Sequence, residues 1–438
     1  MPTKPEPRDL AAAVPAPPLD DAPVVLDVSD LQVHFAMRGG FIDRIVGRSA
    51  GSVKAVDGVS FTLRRGEVLG LAPITGGSVS FDAGTGPIEL TGLTERAFRG
   101  LRRKMQLVFQ DPHASLNPAM DIATAVAHPL KIHHVTTDRA QIEARVRAAL
   151  ERVGLFPAER FMYKYPADLS GGQKQRAVLA RAIMLDPILL LADEPVSMLD
   201  MSVRAKILEL MLDLKRDLGL TYLYVTHDLA TAKFFCDTIA IMYLGRIVEM
   251  GPAEQIYADP KHPYTRALLE AIPEPDPLQA APRDLPRGEV PDAAAPPLGC
   301  SFHPRCPHAF EPCGWEGRDL QALLEQRWTQ VPEAQYERER AVVGDVDPAP
   351  AGPLAPRAHL DDAHAGSGAA AALLAEIRDA DPDEPFWRGV SGVEADATGV
   401  AVRFREPVDP RLARAGDVAV ACHLHDPRFA ADRREPTG

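Results

Sequence analysis

Residues 169–200 read LSGGQKQRAVLARAIMLDPILLLADEPVSMLD, and their order decides the fold. Ser170, Gly171 and Gly172 precede a run with helical spacing that reaches Leu185 and is stopped by Asp186-Pro187. A serine and two glycines ahead of a helix present free backbone N–H groups and the positive end of a dipole, where a phosphate can sit. Taken alone, that tripeptide is an ordinary turn and cap. It is followed, however, by the apolar run Ile188-Leu-Leu-Leu-Ala192, which has strand length and ends in Asp193-Glu194-Pro195. Two carboxylates at the carboxyl end of a parallel strand lie where such sheets bind ligands. Asp193 is placed to hold Mg²⁺ through water, and Glu194 to polarise an attacking water.

Downstream, Ser197-Met-Leu-Asp200 leads into a helix from Val203 to Leu218 that Gly219 closes. A second buried strand, Tyr222-Leu-Tyr-Val225, ends in Thr226-His227-Asp228. A lone histidine is more often a satisfied structural residue than a catalyst. This one leaves the same sheet edge one helix-plus-strand unit after the carboxylates, which points to a terminal-phosphate contact. Upstream, LVFQDPHASLNP brings Gln110 out of another apolar strand, suited to reach Mg²⁺. Strands and amphipathic helices alternate from Val24 to Glu270, so the expected class is α/β with a mostly parallel sheet covered by helices.

A chain of 438 residues has room for two or three domains, and 46% hydrophobic with 25% charged residues is ordinary for a soluble globular protein. A formal charge of -13 argues against nucleic acid as a partner, because phosphate backbones call for a basic face. Residues 1–23 are Pro-rich, have no apolar core of a secretory signal, and are expected to be disordered. No run of eighteen apolar residues occurs, so the chain is expected to be cytosolic, with any membrane association coming through protein partners. The expected organisation is a domain over 24–270, a linker over 271–298, a Cys-bearing module over 299–344, a low-complexity linker over 345–372 and a small β-rich tail over 373–438.

In this order the motifs resemble the ATP-binding-cassette ATPases: the VFQDP Q-loop, the LSGGQ signature, the DEP Walker B, the SMLD D-loop and the VTHD switch. The resemblance covers about Val24 to Glu270 and implies that family's nucleotide-binding domain with a helical signature subdomain, using ATP and Mg²⁺. It implies Glu194 as general base, His227 as γ-phosphate sensor, Asp193 and Gln110 as Mg²⁺ contacts, and Ser170, Gly171, Gly172 and Gln173 as contacts to a partner's nucleotide. Asp200 joins the nucleotide contacts, and Phe35 in LQVHF is the position that would stack on adenine, though a strand phenylalanine is as often plain core. The sequences QDPHASLNP, HPYTRALLEAIPEPDP and GCSFHPRCPHAFEPC are similar to oligopeptide and dipeptide importer ATPases. That likeness implies two permease subunits, a second ATP-binding subunit and an external peptide-binding protein, with Ala114 to His134 as the permease contact. Cys300, Cys306, Cys313 and Cys422 would hold an iron–sulfur cluster or zinc, with His303 or His308 able to replace a thiolate. Free cytosolic thiols are the plain alternative. A soluble cassette ATPase acting on DNA or ribosomes would show paired cassettes or a basic surface, and neither is evident.

One family element is missing. The phosphate loop, G-x-x-x-x-G-K-[ST], belongs after the strand Glu67-Val-Leu-Gly-Leu71, but Leu71 runs directly into Ala72-Pro-Ile-Thr-Gly-Gly-Ser78. Against the family pattern roughly twenty residues are gone. No lysine of the chain follows a glycine, so no Gly-Lys-Ser/Thr stands elsewhere. Losing the loop's helix would also bare a sheet face, at about 1.5–3 kcal/mol for each apolar side chain left uncovered. The join fits either a subunit that works only through its partner's ATP or a recent loss or gene-record fault that left every other motif intact.

Overall fold

The computed structural model describes residues 22–36, 52–69, 76–272, 287–343, 357–360, 367–396 and 399–430. Residues 1–21, the Leu71 join and most of 345–366 lie outside them. The chain opens with strands β1 (Val24–Ala36), β2 (Ser52–Arg64), β3 (Val68–Leu69), β4 (Gly76–Asp82) and β5 (Pro87–Glu89). Helix α1 (Glu95–Leu101) leads to β6 (Met105–Val108), followed by α2 (Ile122–Ile132), α3 (Arg139–Arg152) and α4 (Gly171–Ile183). Next come β7 (Leu189–Asp193), α5 (Met201–Leu218), β8 (Thr221–Val225), α6 (Leu229–Phe235), β9 (Thr238–Tyr243) and β10 (Arg246–Pro252). Helices α7 (Ala253–Ala258) and α8 (Pro263–Glu270) close the first half.

Strands β3, β8, β7 and β6 pair in that order and in parallel, which is the sheet the alternating pattern predicts. Its four strands are the apolar runs whose polar ends carry the motifs. A separate antiparallel sheet, β2-β1-β4-β5, packs its Val28, Leu31, Phe61 and Phe81 against Leu189 and Leu223 of the parallel sheet. On the other face, Tyr222 and Tyr224 join the largest core with Leu179 and Leu190. Tyr222 is fully buried and donates its hydroxyl to the Met211 carbonyl at 3.1 Å, so its one polar atom is satisfied.

The helices begin and end where their sequences say they should. Ser170 accepts from Gln173 N while Gln173 bonds back to Ser170 N, a reciprocal cap on α4. Asp200 caps α5 by accepting from Val203 N, and Gly219, at φ +64°, ends it in the left-handed conformation that glycine adopts without strain.

Beyond α8 the Cys-bearing loop is followed by α9 (Gly317–Trp328), α10 (Glu333–Val343), β11 (Arg357–Leu360), α11 (Ser367–Ala380), β12 (Val390–Asp396), β13 (Gly399–Phe404), β14 (Ala413–Ala415) and β15 (Val418–Val420). Helix α11 begins inside the stretch expected to be a linker to residue 372. Its alanines and leucines are strong helix formers, and Ala370, Leu373, Leu374 and Ile377 bury one face. Strands β11, β13 and β12 form a small antiparallel sheet, whereas β14 and β15 extend the β10-β9 pair. His303, Trp315 and Phe386 make consecutive edge contacts, His303–Trp315 at 4.9 Å and Trp315–Phe386 at 5.8 Å, so loop and C-terminal elements share one core.

Candidate functional site

Three parallel strands deliver their motif residues to one place. Gln110, just beyond β6, donates its amide to Glu194 Oε2 at 2.7 Å. His227, just beyond β8, meets Glu194 Oε1 through Nδ1 at 2.5 Å. Glu194 follows the last residue of β7, between them in the sheet order, so register alone brings the trio together. Its backbone sits at φ +43°, a region that non-glycine residues seldom adopt. The turn is held by Glu194 N donating to the Val225 carbonyl at 2.9 Å and by Ser197 Oγ donating to the Glu194 carbonyl at 3.1 Å. Asp193 stands beside it, its carboxyl pushed above the ordinary range by burial and by the Glu194 charge. A carboxylate pair that repels itself at the end of a strand is a ready seat for a divalent cation.

The signature is built differently. The hydrogen bonds of Ser170 and Gln173 run to each other, leaving their other faces outward at the head of α4. A Cβ on Gly172 would come within 2.5 Å of Val203 Cγ1, so the packing there favours glycine, whereas one on Gly171 would make an ordinary 3.4 Å contact with Leu199. Asp200 is engaged in the α5 cap and in a 2.8 Å bond from Ser202 Oγ. Among the described residues no hydrogen bond joins Ser170–Gln173 to the Glu194 trio. Phe35, at the end of β1, is 55% exposed, so its ring face is free of core packing.

Sequence reasoning missed the pieces that clamp the Q-loop segment to the signature helix. Lys174, nearly buried, lies 3.5 Å from His113 Nε2, and Arg181 donates to the Ser115 carbonyl. Both contacts span more than sixty positions, with |i−j| of 61 and 66, and depend on how α4 packs, which no local pattern encodes.

A second group of chemistry-bearing residues lies in the C-terminal half. Cys300, Cys306 and Cys313 are buried, Cys422 is partly so, and all four are free thiols. Burial pushes Cys300 up to about 11. Burial, together with the charge of Cys300, pushes Cys306 up to about 12 and Cys313 and Cys422 well above the ordinary thiol range. The four thus stand within electrostatic reach of one another. Among the described residues no group of three or more Cys, His, Asp or Glu side chains could hold a metal ion, which does not match the expectation of an iron–sulfur cluster or zinc. The idea that His303 replaces a thiolate is corrected. Its Nδ1 contacts the Cys300 carbonyl at 2.9 Å and its Nε2 meets Asp319 at 3.3 Å, so both ring nitrogens are engaged. His423, next to Cys422, is also buried, and the Val408 backbone contributes a hydrogen bond to it. Nothing in the local sequence distinguishes it from the neighbouring His425.

Residues 56–197 match the ABC transporter family, and residues 248–313 match the oligopeptide/dipeptide transporter C-terminal region. The chain is 43% identical over 284 residues to a peptide import ATP-binding protein of Brucella ovis, spanning 61% of this chain and 87% of that one. It is 40% identical over 306 residues to the oligopeptide transport ATP-binding protein OppF of Escherichia coli, spanning 66% and 90% of the two chains. The oligopeptide transport ATP-binding protein AppF of Bacillus subtilis is also 40% identical over 306 residues, with 66% and 91% covered. Among solved structures, cbiO1 of Clostridium perfringens, part of an ABC transporter complex, aligns with a TM-score of 0.44 at 25% identity, covering 54% of this chain and 91% of that one.

Proposed function

The chain belongs to the ATP-binding proteins of the ABC oligopeptide/dipeptide transporters, and on that premise we propose that it is the subunit coupling ATP to uptake of oligopeptides or dipeptides across the cytoplasmic membrane. It works on the inner face of that membrane, beside a second ATP-binding subunit, beneath two permease subunits and with an external peptide-binding protein. The segment Ala114 to His134 meets the permeases. Among the described residues no helix is long and apolar enough to cross a membrane, in keeping with a role that leaves the crossing to partners.

The observation that carries this reading is Glu194 held between Gln110 and His227. ATP, when bound with Mg²⁺, supplies a terminal phosphoryl group whose transfer to water releases the free energy that transport uses. Asp193 and Gln110 would hold the cation. Glu194 would orient a water and accept its proton, and His227, which holds Glu194 from the other side, would reach the terminal phosphate. Phe35 offers its exposed ring to adenine. On this side the residues fit the nucleotide. On the β-phosphate side no lysine of the chain follows a glycine, so the cradle lacks its cation. Ser170, Gly171, Gly172 and Gln173 are complete, and they serve the ATP held by the partner subunit, with Asp200 beside them. A narrower reading, a subunit that lends only this signature and hydrolyses nothing itself, draws on the same missing lysine.

The four cysteines complete the proposal as ligands of an iron–sulfur cluster. A cluster offers each thiolate a separate iron, so its ligands stand further apart than those of one ion. Cys313 feels Cys300, Cys306 and Cys422 electrostatically, so the four thiols, each kept neutral by burial, lie near one another. Bound there, it would tie the 300–313 loop to the tail.

The test is ATP turnover of this chain paired with its partner subunit. Ser170→Arg and Glu194→Gln are each expected to cut turnover, the first at the partner's ATP and the second at this chain's own site, whereas turnover kept within about twofold in Glu194→Gln would favour the lending-only reading. Loss in both variants would mean that this chain's own site also turns over, and would retire the lending-only reading. Full turnover with Ser170→Arg would overturn the proposal.

A further inference from the structure

Resting on the reading of Glu194 as the general base with His227 beside it, we infer that Arg204 is a positioning residue. It ties the turn that carries His227 to the Leu199–Asp200 turn behind the signature, and so makes the hold of His227 on Glu194 depend on how the signature is seated. Three observations carry this. Arg204 stands in the first turn of α5, the helix that Asp200 caps. A cation there opposes the positive end of the helix dipole, so the place by itself disfavours arginine. A carboxylate offsets it: Arg204 Nη1 donates to Asp228 Oδ2 at 2.7 Å, while Nη2 donates to the Leu199 carbonyl at 3.4 Å. The two paired side chains are 27% and 29% exposed, so salt screens them less than a pair in open solvent.

The second observation is how His227 is held. Its side chain is 75% exposed, so packing does not fix the ring that meets Glu194. Its direction has to come from the turn, and the residues on both sides are bonded to each other, Asp228 N donating to Thr226 Oγ1 at 3.0 Å. Asp228 Oδ1 caps α6 by accepting from Ala230 N at 3.0 Å and Thr231 N at 3.3 Å. Asp228 thus fixes the turn with one oxygen and gives the other to Arg204. The third observation is where the far end of this brace lies. Leu199 is in contact range of Gly171, and Val203, next to Arg204 in the chain, packs on Gly172. The signature glycines, Arg204, Asp228, His227 and Glu194 therefore form one contiguous run. Contiguity becomes coupling where paired variants are non-additive, and that is measurable.

The experiment follows turnover against ATP concentration for the full chain paired with its partner subunit. The native pair is compared with Arg204→Gln, Arg204→Lys, Glu194→Gln and the double variant of Arg204→Gln with Glu194→Gln. Arg204→Gln should lower the part of kcat that depends on Glu194 by about fivefold, with KM unchanged, and Arg204→Lys, which keeps the charge, should restore most of it. The double variant should be no slower than Glu194→Gln alone. In the nucleotide-free chain, the Ala230 and Thr231 amides should exchange hydrogen faster in Arg204→Gln than in Arg204→Lys. If Glu194→Gln cuts turnover while Arg204→Gln leaves kcat unchanged or moves KM alone, the inference is overturned and the reading of Glu194 stands. A double variant slower than Glu194→Gln alone also overturns it, because Arg204 would then act elsewhere. Equal amide exchange in Arg204→Gln and the native chain would mean that there is no brace. Turnover untouched by Glu194→Gln fells both readings. Circular dichroism of each variant separates loss of the brace from loss of the fold.

Discussion

Asp193 and Glu194 end β7 side by side, but only Glu194 has partners that bridge strands, Gln110 at 2.7 Å and His227 at 2.5 Å. Asp193, exposed at the strand end, is left with some desolvation and a like charge, which together raise its carboxyl above the ordinary 3.8. A raised folded-state value means that the folded chain binds this proton more tightly than the unfolded chain. Stability is therefore lost as pH rises through 3.8 toward the folded value, and it stays reduced at neutral pH. Asp193→Asn should accordingly raise the melting temperature of the nucleotide-free chain at pH 7, with the gain shrinking as pH falls toward 3.8. Equal melting at pH 7 would show that Asp193 is relieved by solvent. Reading the sequence placed both carboxylates, because a strand followed by two acids is a local pattern. Their different environments are not local: they come from which neighbouring strand ends in an amide or an imidazole.

At the scale of elements, the tail strand shows how far a correct local reading can fall short. The alternation in DVAVACHL announces β15, and the structure has a strand there, but its partner is β10, paired through Glu249 with Val420 and Met250 with Ala419. No spacing rule links residues so far apart in the chain. The fit depends on Gly251, where a Cβ would lie 2.6 Å from Val418 Cγ1 and 3.1 Å from its backbone Cα. Gly251→Val should therefore lift β15 from β10, since inserting methyl groups into a packed contact costs about 1–3 kcal/mol. Hydrogen exchange of the Ala421 amide, which donates to the Val248 carbonyl at 2.8 Å, should quicken along with proteolysis near Arg411. Unchanged exchange would mean that other contacts hold the tail. Helix α11 escaped the reading for a related reason. Its alanine-rich sequence looks like low complexity until Phe386, Val400 and Phe404 supply the core on which its apolar face closes.

The whole molecule turns on the join after Leu71. Leu107, Leu191 and Leu223 stand in register across β6, β7 and β8, pointing to one face of the parallel sheet. Leu223 is 7% exposed beneath the antiparallel sheet, but Leu107, at the β6 edge, is 45% exposed. Phe109, just beyond it, is 52% exposed. Among the described residues the sheet is thus covered at one side and open at the other, on the face that a helix after the phosphate loop would be expected to cover. On the proposal that a phosphate loop and its helix are missing after Leu71, this open face and the lack of Gly-Lys-Ser/Thr in the sequence have one cause. Inserting a Gly-x-x-x-x-Gly-Lys-Ser loop and an amphipathic helix between Leu71 and Ala72 should repair both together. Burying Leu107 and Phe109 is worth about 1.5–3 kcal/mol for each side chain fully covered. A gain of about 1 kcal/mol moves the melting temperature by about 2–4 °C in a domain of 150–250 residues, so a rise of several degrees is expected. The same insertion should give the isolated chain ATP binding that depends on the new lysine, read by equilibrium dialysis with and without a Lys→Ala change in the insert. Stability without binding would mean that the Glu194 side cannot accept nucleotide even when cradled, leaving the signature as the part that acts. Binding without added stability would mean that the open face is covered by a partner in the assembly and not by this chain.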